Sequence, residues 1–362
     1  MSARTCIFLI GLRGNVYTEA AVRWSNINFI QSEDRIIFLH VMKPSRDISL
    51  VAYQSPIVLN LDHRKVEVTD LVTPAMEDGS ERKFEVCIIE TSQDIGSAVL
   101  QFLATELMTD IDYSTTFLIL GRINGALDGS PKETNLFCTG KKQALTDYMA
   151  RYCPISTILV NMKVYPNLSA LATDSVSSAY LGLSDLEENT RTVIVVIDIS
   201  SKESVFEDVA IVEYALKYIL RRTDRVKLIT FFRCMSEFNR KLSDISTCEE
   251  KLKNFLVERP GETAPLASLI LRLTTENGNT ATINKERREQ ISDAVNQFEP
   301  DFVCLRELGD SRESKSLSYF QRIRRYWKGT HTYQSVEALN FNAPILLVRN
   351  NVLSRLKNQS NH

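Results

Sequence analysis

The chain spells out one succession of strands and helices twice, at an almost fixed spacing. In the first half, "TCIFLIGL" is a continuous apolar run closed by glycine, the pattern of a strand buried on both faces. Val16, Ala20, Ala21, Trp24 and Ile27 then recur at helical spacing, and "RIIFLHVMK" is the next strand. Further on, "KFEVCIIE" is a strand, Ile95, Val99, Phe102 and Leu103 mark a helix, and "TTFLILG" is a strand. A helix through Ala144, Leu145, Tyr148, Met149 and Tyr152 leads to the last strand, "ISTILVNMKV".

The second half repeats the order. "RTVIVVID" is followed by a helical stripe of Val205, Val209, Val212, Leu216 and Ile219, then by the strand "RVKLITFF". "STCEEKLKNFLVE" starts a helix with a polar cap, "LASLILRL" is a strand, and Ile291, Val295 and Phe298 mark another helix. "DFVCLREL" and "PILLVRN" are the closing strands. The register holds along the whole length. Cys6 and Thr192 are 186 apart, Gly121 and Gly309 188, Gly140 and Gly329 189, and Pro154 and Pro344 190. Such a repeat predicts a tandem duplication, residues 1–166 and 190–352, with a linker at 167–189 and a tail at 353–362.

Alternating strands and helices predict an α/β fold wound with right-handed crossovers, a parallel five-stranded sheet in each half. The two sheets are expected to meet about a pseudo-twofold axis along "STILVNMKV" and "PILLVRN", each covering the other's exposed edge. One stretch breaks the parallel. From Ser45 to Ser80, "SLVAYQSPIVLNLDHRKVEVTDLV" reads as extended pieces with Pro and Asp breaks where the second half has a helix. A long irregular excursion of this kind is the expected surface for a protein partner.

In an open parallel sheet, ligands sit beyond the carboxyl ends of the strands at the point where strand order reverses. Gly121 and Gly309, after the fourth strands, are placed there. Gly140 with Lys141 and Lys142, and Gly329 with Thr330, stand where a helix start offers free N–H groups to an anion. The basic and aromatic run "RIRRYWKGTHTY" around Gly329 reads as an amphipathic loop and helix, so nucleic acid is not an expected partner.

The strand-ending glycine, the glycine at a helix start and the proline-led last strand together resemble the universal stress protein family. The pertinent loops read "GRINGALDGSPKETNLFCTGKK" and "GDSRESKSLSYFQRIRRYWKGTHT", and "AAVRW" and "FLHVMKP" of the first half resemble the family's first helix and second strand. The resemblance covers roughly residues 4 to 165 and 190 to 350. It implies two tandem Rossmann-like domains of the adenine-nucleotide α-hydrolase type, with ATP or AMP as the ligand. It implies that Asp198, ending the first strand of the second half, reaches the adenine or ribose side, whereas the first half has "GLRGN" and no acid. Gly125 stands for the second glycine of the family's loop, one residue out of its spacing, and Thr330 preserves a hydroxyl that Lys141 replaces. Each half keeps a different part of the nucleotide site.

Net charge is −2 and the apolar runs are strand-length, far short of the ~20 residues of a membrane span. The seven cysteines are scattered, the four histidines never cluster with cysteine or acid, and no nucleophile, P-loop or metal motif is present. The expectation is a non-catalytic regulatory or scaffold protein of the cytosol or nucleus, working through protein contacts and self-association. The alternative is an ATP- or AMP-binding protein with at most slow hydrolysis; His331, beside the Gly329 corner, is read as an ordinary first-turn residue.

Overall fold

The computed structural model describes residues 4–11, 15–42, 61–76, 82–105, 112–122, 138–139, 143–161, 190–198, 205–232, 234–257, 267–273, 280–306, 343–349, 351–353 and 355–356. The first half contributes strands β1 (Thr5–Ile10), β2 (Arg35–Met42), β3 (Phe84–Glu90), β4 (Thr116–Arg122) and β7 (Ser156–Asn161). The second contributes β8 (Thr192–Asp198), β9 (Arg225–Phe232), β10 (Ala267–Leu273), β11 (Phe302–Arg306) and β12 (Ile345–Val348). These ten form one continuous sheet in the order β10-β9-β8-β11-β12-β7-β4-β1-β2-β3. Two separate five-stranded sheets are therefore not what forms. All pairings are parallel except the central one, where β12 runs antiparallel to β7 with Ile345 opposite Leu159, Leu346 opposite Ile158 and Leu347 opposite Thr157.

The register locates the symmetry. Thr157 sits opposite Leu118 as Ile345 sits opposite Val303, so Thr157 and Ile345 are counterparts, as are Leu159 and Leu347. The pseudo-twofold axis thus passes the Ile158–Leu346 pair. By this register Pro344 corresponds to Ser156, so the two prolines matched by sequence spacing are two positions out of step.

Helices α1 (Asn15–Asn28), α2 (Leu61–Met76), α5 (Val205–Tyr218) and α6 (Met235–Phe255) cover one face of the sheet. Helices α3 (Ile95–Thr105), α4 (Leu145–Tyr152) and α7 (Thr280–Phe298) cover the other. Each strand shows apolar residues to both faces: Cys6, Phe8 and Ile10 join the first core layer and Ile7 the second. That two-sided burial is why these strands read as unbroken apolar runs. Val352, Leu353 and Leu356 beyond β12 are buried in the first layer as well.

Helix α2 corrects the reading of residues 45–80. Val68, Val72 and Met76 fall at four-residue spacing and are buried, while Val66 is 57% exposed. The valines and threonines that suggested extended backbone are held helical because this face packs on the sheet, and packing overrides a weak β-preference. Residues 43–60 and 77–81 lie outside the described residues. Helix α6 also begins earlier than "STCEEKLKNFLVE", at Met235, and its N-cap Cys234 makes no side-chain capping bond. Asp94, by contrast, caps α3, its Oδ1 accepting from the Ser97 N–H at 2.9 Å.

Candidate functional site

Strand order reverses beside β1, which lies between β2 and β4, and beside β8, which lies between β9 and β11. The ends of β1 and β8 are therefore the places where this fold opens a crevice. Thr5 pairs with Arg35 as Thr192 pairs with Arg225, so Asp198 at the end of β8 is the counterpart of Gly11 just past β1. Asp198 is set opposite Phe231 of β9.

The first-half corner is tied up by its own residues. The Gly11 N–H donates to Thr18 Oγ1 of α1 at 3.3 Å, and both residues are buried. His40 of β2 lies opposite Ile10, with its Nδ1 2.9 Å from the Ile10 carbonyl oxygen. Burial is the main cause that lowers the pKa of His40; nearby Arg64 adds to it, while the Ile10 hydrogen bond and Glu67 oppose it. A neutral imidazole with Nδ1 protonated donates to that carbonyl.

Gly121 lies within β4, opposite Val160, one residue before the strand ends. Cys138–Thr139 (β5) and Gln143–Ala144 (β6) pair antiparallel, and α4 starts only at Leu145. The helix start expected at Gly140 is thus displaced beyond it, because Gln143 and Ala144 are taken into the ribbon. Gly125, Gly140, Lys141, Lys142, Gly309, Gly329, Thr330 and His331 fall outside the described residues. Among the described residues no cluster of three or more His, Cys, Asp or Glu is placed to hold a metal ion. Among them too, no helix is long and apolar enough to cross a membrane.

The most developed polar constellation is one the sequence reading passed over. Arg4, one residue before β1, clamps Asp34 through Nε at 3.0 Å and Nη2 at 2.5 Å. Arg191, one residue before β8, clamps Asp224 through Nε at 2.8 Å and Nη2 at 2.5 Å. Arg4 also donates to the carbonyls of Phe29 and, across the axis, Tyr218. Arg191 donates to Ile219 and, across the axis, Asn28. The aromatic rings cross in the same way: Trp24 meets Phe302 edge-on at 6.2 Å, and Tyr214 lies 6.3 Å from Phe117.

Arg221 adds a third guanidinium, donating to the Ile27 carbonyl at 3.2 Å. Burial, with Arg191 alongside, pulls its pKa down to about 10. Three arginines face two aspartates, and the negative ends of α1 and α5 offset the remaining charge. A signal for this network was present in the sequence: "RT" straddles the start of both first strands and "DR" the start of both second strands.

The fold matches that of a solved structure of a universal stress protein from Archaeoglobus fulgidus DSM 4304. The TM-score is 0.51 at 11% identity, over 97% of this chain and 100% of that one, a likeness of fold alone. An OtsA apo structure and a structure described as trehalose-6-phosphate from E. coli bound with UDP-2-fluoro glucose align at TM-scores of only 0.19 and 0.22, at 9% and 8% identity. They cover 83% and 98% of this chain and 78% and 98% of theirs. No family model matches the chain, and no curated protein sequence matches it.

Proposed function

We propose that this protein is a non-catalytic regulatory or scaffold protein, built from two divergent units of the universal stress type and acting through protein contacts. The observation that carries this reading is the first-half corner, where Gly11 stands in place of the acid and its N–H is taken by Thr18. A crevice whose strand-end donor is spent on the protein's own helix serves structure before it serves a ligand. Pull-down on the intact protein, with steady-state ATP turnover measured beside it, tests the reading. Specific capture without turnover is expected; steady turnover at an enzyme-like rate of about 1 s⁻¹ or more overturns it.

A second reading is favoured by Asp198. Its strand ends at the other switch point, and its residue type suits a ribose or adenine group. ATP or AMP is then the ligand, held by the second half, with the Gly329–Thr330 corner as the phosphate side. Calorimetry with ATP and with AMP, on the intact protein and on Asp198→Ala, tests this. Binding that the substitution weakens at least tenfold supports it, and equal affinity in both proteins removes it.

A further inference from the structure

We infer that each half of this chain carries a face selective for the other half and not for a second copy of itself. The inference stands apart from any nucleotide. The clamps of Arg4 and Arg191 and the two crossed aromatic pairs are symmetric, so they serve like-with-like and mixed pairs equally. Among the described residues other contacts across the axis are one-sided, those of Tyr214, Arg349 and Arg221 among them.

The first is Tyr214, whose hydroxyl donates to Ser156 Oγ at 3.1 Å, both residues being fully buried. The counterpart of Ser156 is Pro344, which carries no hydroxyl. A pair of second halves would leave the Tyr214 hydroxyl facing proline in a dry core, and a buried polar group without a partner is strongly disfavoured. Burial drives the Tyr214 pKa upward, in keeping with a dry site.

The second is Arg349, just after β12 and 1% exposed. It donates to the carbonyls of Ile155 at 3.2 Å and Met149 at 3.0 Å, and to Thr157 Oγ1 at 3.3 Å, all on the first half. Thr157 is replaced by Ile345 in the second half, and Arg349 by Asn161 in the first, by the register of the central strands. Neither like-with-like pair rebuilds the hydrogen bond between Arg349 and the Thr157 hydroxyl.

The third is Arg221. Its backbone N–H donates to Asp224 Oδ2 as that of Gln31 donates to Asp34 Oδ2, each at 2.8 Å, so the two positions are counterparts. Only the arginine reaches the opposite helix, at Ile27. The Tyr214 and Arg349 contacts penalise a pair of second halves as well as rewarding the mixed one, which is how related surfaces are kept apart, whereas the Arg221 contact, made to a backbone carbonyl, disfavours only a pair of first halves.

The test uses the whole chain with a protease-cleavage sequence inserted after Ser177. The cleaved protein is unfolded in urea, refolded by dilution and sorted by native mass spectrometry. Particles with one copy of each fragment are expected to dominate, whereas random re-pairing would give as many like-with-like as mixed particles. Tyr214→Trp with Arg221→Gln and Arg349→Asn gives the second half the residues of the first, and should bring like-with-like pairs up towards that random level. Should the triple variant aggregate, Tyr214→Phe alone, which removes the hydroxyl that Pro344 cannot answer, should still raise the like-with-like share. Recovery of the unsubstituted protein as like-with-like pairs, single fragments or aggregate overturns the inference, as does an unchanged share in Tyr214→Phe.

Discussion

Arg4 and Arg191 exchange helices: Arg4 of the first half donates to the Tyr218 carbonyl at the end of α5, and Arg191 of the second donates to the Asn28 carbonyl at the end of α1. The last carbonyls of a helix have no partner within it. Here the missing donors come from the opposite half, each guanidinium pre-aligned by a bidentate aspartate of its own half.

Removing one member of a clamp leaves a charge in a place with no water. Arg191 and Asp224 side chains are 2% and 0% exposed. Arg191→Met should therefore cost about 3–5 kcal/mol. In Arg191→Met/Asp224→Leu, where both charges are gone, part of that loss should return. Urea unfolding of the two variants decides it, and a single variant within about 1 kcal/mol of the unsubstituted protein contradicts the network's role.

Gly96 in α3 presses against α4. A Cβ there would lie 2.6 Å from two ring carbons of Tyr148, whose ring is itself tilted against that of Tyr152 with centroids 4.8 Å apart. Glycine to alanine inside a helix ordinarily stabilises by up to about 1 kcal/mol. At this position the sign should reverse, with Gly96→Ala losing about 1–3 kcal/mol by overpacking. A rise in Tm for Gly96→Ala would show that the two helices have room to part.

His40 gives the stability a pH dependence. Its folded pKa is lowered below the ordinary 6.5, chiefly by burial. The unfolded chain therefore takes up a proton first, and stability falls as pH drops below about 6.5 towards the folded value. Asp301 shifts the opposite way, its pKa raised above 3.8 mainly by burial, so the contribution of His40 must be read by difference. The loss in Tm from pH 7.5 to 5.5 should be smaller in His40→Gln than in the unsubstituted protein. Parallel curves would place the pH sensitivity elsewhere.

Two valines two residues apart test whether α2 is a helix in solution. Val68 is fully buried and Val66 is 57% exposed. Val68→Ala should lose about 1.5–3 kcal/mol, and Val66→Ala should stay within about 0.5 kcal/mol. An extended strand would put both side chains on one face, and similar losses at both positions would favour it. Deleting residues 45–80 should unfold the first half, since Val68, Val72 and Met76 leave the core with it.

Much of the fold was legible because burial writes itself into local spacing. Strands β1, β2, β4, β8 and β9 are each apolar on two faces and were found as strands, β1 as one buried on both faces; Val99 and Leu103 of α3, and Ile291 and Val295 of α7, sit buried at the spacing that marked their helices. Helix α2 was missed because Val66, Val68 and Val72 favour extended backbone and the stretch is punctuated by Pro56, Asp62 and Asp70. The candidate site was legible only in part. Asp198 ends its strand as expected, Gly121 lies within β4 and not after it, and the ties of Thr18 to Gly11 and of His40 to Ile10 came from residues that carry no motif.

By itself the sequence determined where the ten strands of the sheet lie and that the same order occurs twice, because each strand shows in the apolar spacing of neighbours a few residues away. Only the tertiary structure decided that the ten strands close into one sheet and that α2 is helical. It also decided that Arg4 and Arg191 are the fastening points. Their partners across the axis lie 214 and 163 residues distant along the chain. A helix end leaves several carbonyls free, and no local pattern says which distant donor will satisfy them.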